Sequence, residues 1–159
     1  QCKIGALYEG FPTGYHGIDP KPMTTNQKPK QVLLVDDDQD DLDLYVDLFK
    51  DIDPNIRTVK YLDPTKAIVD LRQSSQLPDL TILDFNMPKM NALGFLQLLR
   101  QDSRLARLPV EVVTTGCAPD VTKALSALGA DCHVKAPRFD DFKVLLQRLL
   151  KRVDGVVAS

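Results

Sequence analysis

Four short apolar runs recur along the chain, and each stops on a residue that carries chemistry. Gln31-Val-Leu-Leu-Val35 runs into Asp36-Asp37-Asp38, and Leu80-Thr-Ile-Leu83 runs into Asp84. Val110-Glu-Val-Val113 runs into Thr114-Thr115, and Cys132-His-Val134 ends on Lys135. Runs that do not alternate with polar residues are the pattern of strands covered on both faces. Glu111 is the exception inside its run; its place near the strand's start is the only account the sequence offers. A fifth run, Ile56–Leu62, places Arg57 and Lys60 among Ile56, Val59 and Tyr61, and that partial polarity predicts an edge strand.

Between the runs the period changes to that of a helix. Leu42, Tyr45, Val46 and Phe49 fall at i, i+3, i+4, i+7, with Asp38 or Asp40 available as the cap. Asp63-Pro64 opens a short helix carrying Ala67, Ile68 and Leu71, which ends before Ser74. Asn91 caps a helix with Ala92, Phe95, Leu96 and Leu99 on one face. Pro119 opens another, with Val121, Ala124, Leu125 and Leu128, stopped by Gly129. The last carries Phe142, Leu145, Leu146, Leu149 and Val153; Lys151 and Arg152 read as helix-end charge, and Gly155 reads as its end. Five strand–helix units in strict alternation predict an α/β fold with a parallel sheet between two helix layers. The domain reads as 31–155. Residues 1–30 read as an N-terminal arm or upstream-derived leader with Met23 as a candidate natural start, and 156–159 as a short tail. A docking arm using Tyr8, Phe11 and Tyr15 is the alternative for the leader.

Composition narrows the function. The chain has 159 residues, the size of one domain, and 43 % hydrophobic content supplies one core. A net charge of −2 gives no pull toward nucleic acid or an anionic membrane, and 6 % aromatics leave no stacking surface. No apolar run approaches membrane-spanning length. The cysteines are Cys2, Cys117 and Cys132. Their odd number and scattered spacing predict a reduced, cytoplasmic protein with neither a disulfide framework nor a zinc site. Cys117 reads as a small loop residue and His133 as a packed strand residue.

In a parallel sheet the chemistry-bearing residues meet at the carboxyl edge, where open α/β sheets bind ligands. Carboxylates crowded there raise one another's pKa, and a divalent cation removes the conflict. Oxygen-only ligands with retained waters suit Mg²⁺. A carboxylate beside bound Mg²⁺ can attack phosphorus and form an acyl phosphate, whose oxygens then need donors such as the Thr114 hydroxyl and the Lys135 ammonium.

Val35-Asp36-Asp37, Leu83-Asp84-Phe-Asn-Met-Pro88, Val113-Thr114, Leu128-Gly129-Ala130 and Val134-Lys135 resemble, in order and spacing, the receiver domain of two-component response regulators. The likeness runs from about Gln31 to Val153. It implies a flavodoxin-like (βα)₅ fold with strand order 2-1-3-4-5. Asp84 would be the phosphoacceptor. Asp36, Asp37, Asp84 and the backbone carbonyl of Asn86 would hold Mg²⁺, while Thr114 and Lys135 bind the phosphoryl group. The implied partners are a sensor histidine kinase or phosphotransfer protein and a downstream protein target, with no nucleic acid and no membrane; a homodimer is compatible with it. The expected role is a stand-alone regulator with Mg²⁺-dependent self-phosphorylation.

Three departures from the family pattern bear on the site. Asn91-Ala92 stands where Asp-Gly is usual, and Asn tolerates unusual backbone angles. Lys135 is six residues after Gly129 instead of seven, and Lys135-Ala136-Pro137 separates the usual Lys-Pro pair. Without a gap, Ala136 takes the lysine's place; with a one-residue deletion in the strand, Lys135 reaches the rim, and that register is preferred. The aromatic residue usual in the last strand is missing; His133 is the nearest candidate, and only in the gapless register. Two other readings compete: a haloacid-dehalogenase-like phosphatase using Asp36-Asp37-Asp38, and a receiver that no longer cycles phosphate and acts as an interaction module.

Overall fold

The structure is a computed structural model and describes residues 30–157. The leader reading, Met23, the Tyr8–Tyr15 arm and Cys2 lie outside the described residues. Five strands and five helices alternate: β1 (Gln31–Val35), α1 (Gln39–Ile52), β2 (Arg57–Tyr61), α2 (Pro64–Gln73), β3 (Leu80–Leu83), α3 (Ala92–Gln101), β4 (Val110–Thr114), α4 (Pro119–Ala127), β5 (Asp131–Val134) and α5 (Phe139–Val157). All strands are parallel, in the order β2-β1-β3-β4-β5. This is the flavodoxin-like arrangement that the resemblance implied. The alternating run falls on the edge strand β2, and the fully apolar runs form the centre of the sheet.

Strand geometry divides the core between two layers, because successive side chains point to opposite faces. Leu33, Val35, Leu83 and Val112 pack with α2, α3 and α4 around Phe95, Leu96 and Leu99. Val32, Leu34, Ile82 and Val113 pack with α1 and α5 around Phe49, Leu146 and Leu149. Phe49 and Phe95 are fully buried. Each such side chain stabilises the fold by about 1.5–3 kcal/mol through area removed from water.

The caps fix where each helix begins. Asp38 accepts from the Asp40 N–H at 2.8 Å, Asp63 from the Thr65 N–H at 2.9 Å, and Asn91 from the Gly94 N–H at 3.0 Å. Asn91 sits in extended backbone, so the left-handed residue of its turn is Lys89, at φ 69°, not Asn91. The Lys89 ammonium meets Asp63 at 2.6 Å. α4 ends in a Schellman motif: the Ala130 N–H donates to the Leu125 carbonyl and the Gly129 N–H to that of Ser126, both at 3.0 Å, with Gly129 at φ +73°. The Arg100 guanidinium, from α3, fastens the same end. It donates to the carbonyls of Leu128 (2.8 Å), Ala106 (3.1 Å) and Leu108 (3.0 Å).

α5 does not stop at Gly155; it continues to Val157. A mid-helix glycine costs about 1 kcal/mol but breaks nothing by itself, and the Lys30–Asp154 ion pair at 2.5 Å ties that turn to the start of β1.

Candidate functional site

Parallel strands bring the ends of β1, β3, β4 and β5 to one rim. Val35 pairs with Leu83, so Asp36 and Asp84 emerge side by side just beyond them; the Asp84 N–H donates to the Val35 carbonyl at 2.9 Å. Asp36 is 2 % exposed and Asp84 9 %, whereas Asp37 is exposed. One carboxylate oxygen from each of the three lies within 4.8 Å of the others. Asn86 is exposed beside them, and its N–H donates to Asp84 Oδ2 at 2.9 Å. Thr114 closes β4, is almost wholly buried, and its carbonyl accepts from the Lys135 N–H at 2.8 Å.

That last bond carries the sheet pairing past Val134 and delivers Lys135 to the rim. Its Nζ stands 3.4 Å from Asp84 Oδ1, 3.1 Å from Asp36 Oδ2 and 2.6 Å from Asp41 Oδ2. The deletion register is therefore the observed one. Ala136 instead packs partly buried against the α1–α5 layer. Asp41 was not singled out in the sequence; its signal was a second acid in the first turn of α1, one turn past the Asp38 cap.

Burial raises the pKa of Asp36 and of Asp84, and it outweighs the lowering by backbone N–H groups and by Lys135. Burial alone would lower the Lys135 pKa; the hydrogen bond it donates to Asp41 and the charges of Asp36 and Asp84 overcome it and hold the amine well above its usual value. Three carboxylates thus share one ammonium, and a fourth, Asp37, stands beside them. The excess negative charge, carried by hard oxygen ligands in a half-buried cleft, fits a divalent cation. Asp36, Asp37 and Asp84 could hold it.

A second cluster explains Glu111. It lies on the α5 side of β4, 8 % exposed, with Oε2 2.8 Å from His133 Nε2. Arg152 of α5 reaches Glu111 at 3.2 Å and Asp131 at 2.6 Å. Arg152 is therefore more than helix-end charge. Although Glu111, Asp131 and His133 have the reach of metal ligands, the Arg152 guanidinium already engages both carboxylates.

The cysteine expectation is corrected. Cys117 and Cys132 form a disulfide, with Cα atoms 6.1 Å apart. Their separation of 15 residues hides the pairing, because Cys117 follows β4 and Cys132 lies on β5, which pairs with β4.

Residues 32–149 match the family of the response regulator receiver domain. The chain is 30 % identical over 133 residues to response regulator Rcp1 of Synechocystis sp., covering 80 % of this chain and 86 % of Rcp1. It is 32 % identical over 130 residues to protein RcaC of Microchaete diplosiphon, covering 82 % of this chain and 19 % of RcaC. Among solved structures, the Mn(2+)-bound form of Rcp1 aligns with a TM-score of 0.67 at 29 % identity, over 76 % of this chain and 91 % of that one. The phosphorylated cyanobacterial phytochrome response regulator RcpA aligns with a TM-score of 0.65 at 26 % identity, over 80 % and 90 %.

Proposed function

We propose, since this chain belongs to the response regulator receiver domain family, that it accepts a phosphoryl group on Asp84 from a phosphohistidine of a partner histidine kinase or phosphotransfer protein. The observation that carries this reading is the placement of Asp84: at the end of the central strand β3, within 3.4 Å of Lys135 and within ligand reach of Asp36 and Asp37. A carboxylate oxygen of Asp84 attacks phosphorus, the P–N bond to the donor imidazole breaks, and an acyl phosphate forms. Asp36, Asp37, Asp84 and the Asn86 carbonyl are the proposed ligands of Mg²⁺, which when bound would neutralise charge on the transferring group. Lys135 moves from Asp41 and Asp36 toward the phosphoryl oxygens, and the Thr114 hydroxyl donates to another. The output proposed is a conformational change read by a protein target. The proposed location is the cytoplasm, where the donor phosphohistidine is made from ATP. Among the described residues no helix is long and apolar enough to cross a membrane.

Incubation with acetyl phosphate and Mg²⁺, followed by intact mass, tests the reading. One hydroxylamine-labile phosphoryl group is expected, lost in Asp84→Asn and in excess chelator. Equal labelling of Asp84→Asn would overturn the assignment. The haloacid-dehalogenase-like alternative gains nothing from the fold, because it leaves Asp84 and its contact with Lys135 without a role.

A further inference from the structure

The disulfide lies where the fold has least else to hold it. Cys117 is three residues beyond Thr114, and Cys132, opposite Val112, is three residues before Lys135. The bond closes a loop that contains the whole of α4. That helix is weakly fastened by packing. Leu125 is its only buried residue, whereas α2 and α3 bury four each. Its cap, Ala118, offers no side-chain hydrogen bond. The connection into α4 is equally bare. Thr115 and Gly116 are exposed, a side chain at Gly116 would meet nothing within 4 Å, and Thr115, Gly116 and Cys117 make no backbone hydrogen bond in the loop. One covalent bond therefore anchors the amino end of α4 to the sheet, beside two residues of the phosphorylation rim.

We propose that Cys117 and Cys132 form a thiol–disulfide switch that sets the freedom of the β4–α4 connection and of α4, and through them the response of the rim to phosphorylation. Both cysteines are only half-buried, so an attacking thiolate can reach them. The reductant is a dithiol. Its thiolate attacks one sulfur and forms a mixed disulfide, releasing the other cysteine as a thiolate that takes a proton. The dithiol's second thiolate then displaces the remaining cysteine, leaving two protein thiols and an oxidised reductant. The oxidant is a small-molecule or protein disulfide, which accepts the two electrons and leaves as two thiols. In the reducing compartment proposed above, such bonds are as a rule transient and regulatory, not permanent staples. The release of α4 stands on the cross-link alone; its coupling to phosphorylation rests on the receiver reading.

The test uses the full chain carrying Cys2→Ser, so that one pair remains. Oxidised glutathione should remove both thiols from alkylation, and dithiothreitol should restore both without denaturant. Hydrogen exchange across residues 115–130 should then be at least roughly tenfold faster in the reduced form, as loss of a loop-closing bond of this size allows. Cys117→Ser should exchange like the reduced form under both conditions. Thiols that stay alkylatable after oxidised glutathione, or exchange that ignores the redox state, would overturn the switch. Phosphorylation by acetyl phosphate should be about fivefold faster when reduced, within the usual range of coupling between sites. A redox-dependent exchange with identical phosphorylation rates would overturn the coupling but leave the anchor. Absence of phosphorylation in both states would overturn the receiver reading, with the exchange result still judging the disulfide.

Discussion

Lys135→Met keeps an aliphatic stem of similar length and removes the only cation from a cluster of four carboxylates. The wild-type ammonium lies 2.6 Å from Asp41, 3.1 Å from Asp36 and 3.4 Å from Asp84. At an effective dielectric near 20, each contact at about 3 Å is worth about 5 kcal/mol of gross attraction, most of it offset by desolvation of the amine. Removing one partner of a buried pair costs about 3–5 kcal/mol. Here the Asp41 side chain is 36 % exposed, so about 2–3 kcal/mol is expected at pH 7, or roughly 3–5 °C of Tm per kcal/mol. The loss should depend on pH in a defined direction. Without Lys135, Asp36 and Asp84 rise further in pKa, so the folded state keeps protons that the unfolded chain has released. The deficit is full where both are ionised in the folded state. It closes as the pH falls through the raised folded values toward the ordinary 3.8. Lys135 itself contributes its full share below its unfolded value of 10.5 and loses it only as pH rises through the higher folded value. Mg²⁺ should partly rescue the variant: at ten times Kd it adds about 1.4 kcal/mol, and it binds more tightly once it no longer competes with the ammonium. Urea unfolding at neutral and mildly acidic pH, with Mg²⁺ or with chelator, measures all three effects. A variant as stable as wild type at pH 7, or a deficit that ignores pH, would refute the charge argument.

Two further changes probe the scaffold. Thr81 is fully buried in the central strand β3 and its hydroxyl has no partner; Thr81→Val keeps the shape and should stabilise by about 1 kcal/mol, read as a higher urea midpoint at unchanged slope. Gly129→Ala forces a side chain onto φ +73°, where the new carbon meets Arg100 only at an ordinary 3.8 Å. The cost is therefore backbone strain of about 1–2 kcal/mol, visible as a lower melting temperature.

The sheet was legible because central strands covered by helices on both faces exclude polar residues, and β1 and β3 carry almost none. The helix starts were legible because their caps are local: Asp38, Asp63 and Asn91 each bond a backbone N–H two or three residues on. The rim was legible in its carboxylates because strand ends announce them. What escaped was non-local. Glu111 looks misplaced until β5 and α5 bring His133 and Arg152 to it. Cys117 and Cys132 look unrelated until β4 and β5 pair. Asp41 joins the site only through the rotation of α1, which a cap does not specify. Gly155 misled in the opposite way, since a local stop signal was overridden by a helix already fastened to the core along Phe142, Leu145, Leu149 and Val153.

Arg100 gives α4 a fixed fulcrum. It clamps the carbonyls at the helix's far end to those of the α3–β4 connection, and the Schellman bonds of Gly129 and Ala130 lock the same corner. α4 is nine residues long, a lever of about 13 Å. With its carboxyl end held and its amino end tethered through sulfur, any tilt of the helix grows toward Pro119, on the side of the Asp84 rim. Once the sulfur tether opens, a tilt about Leu128 would move Pro119 further than it moves the clamped end.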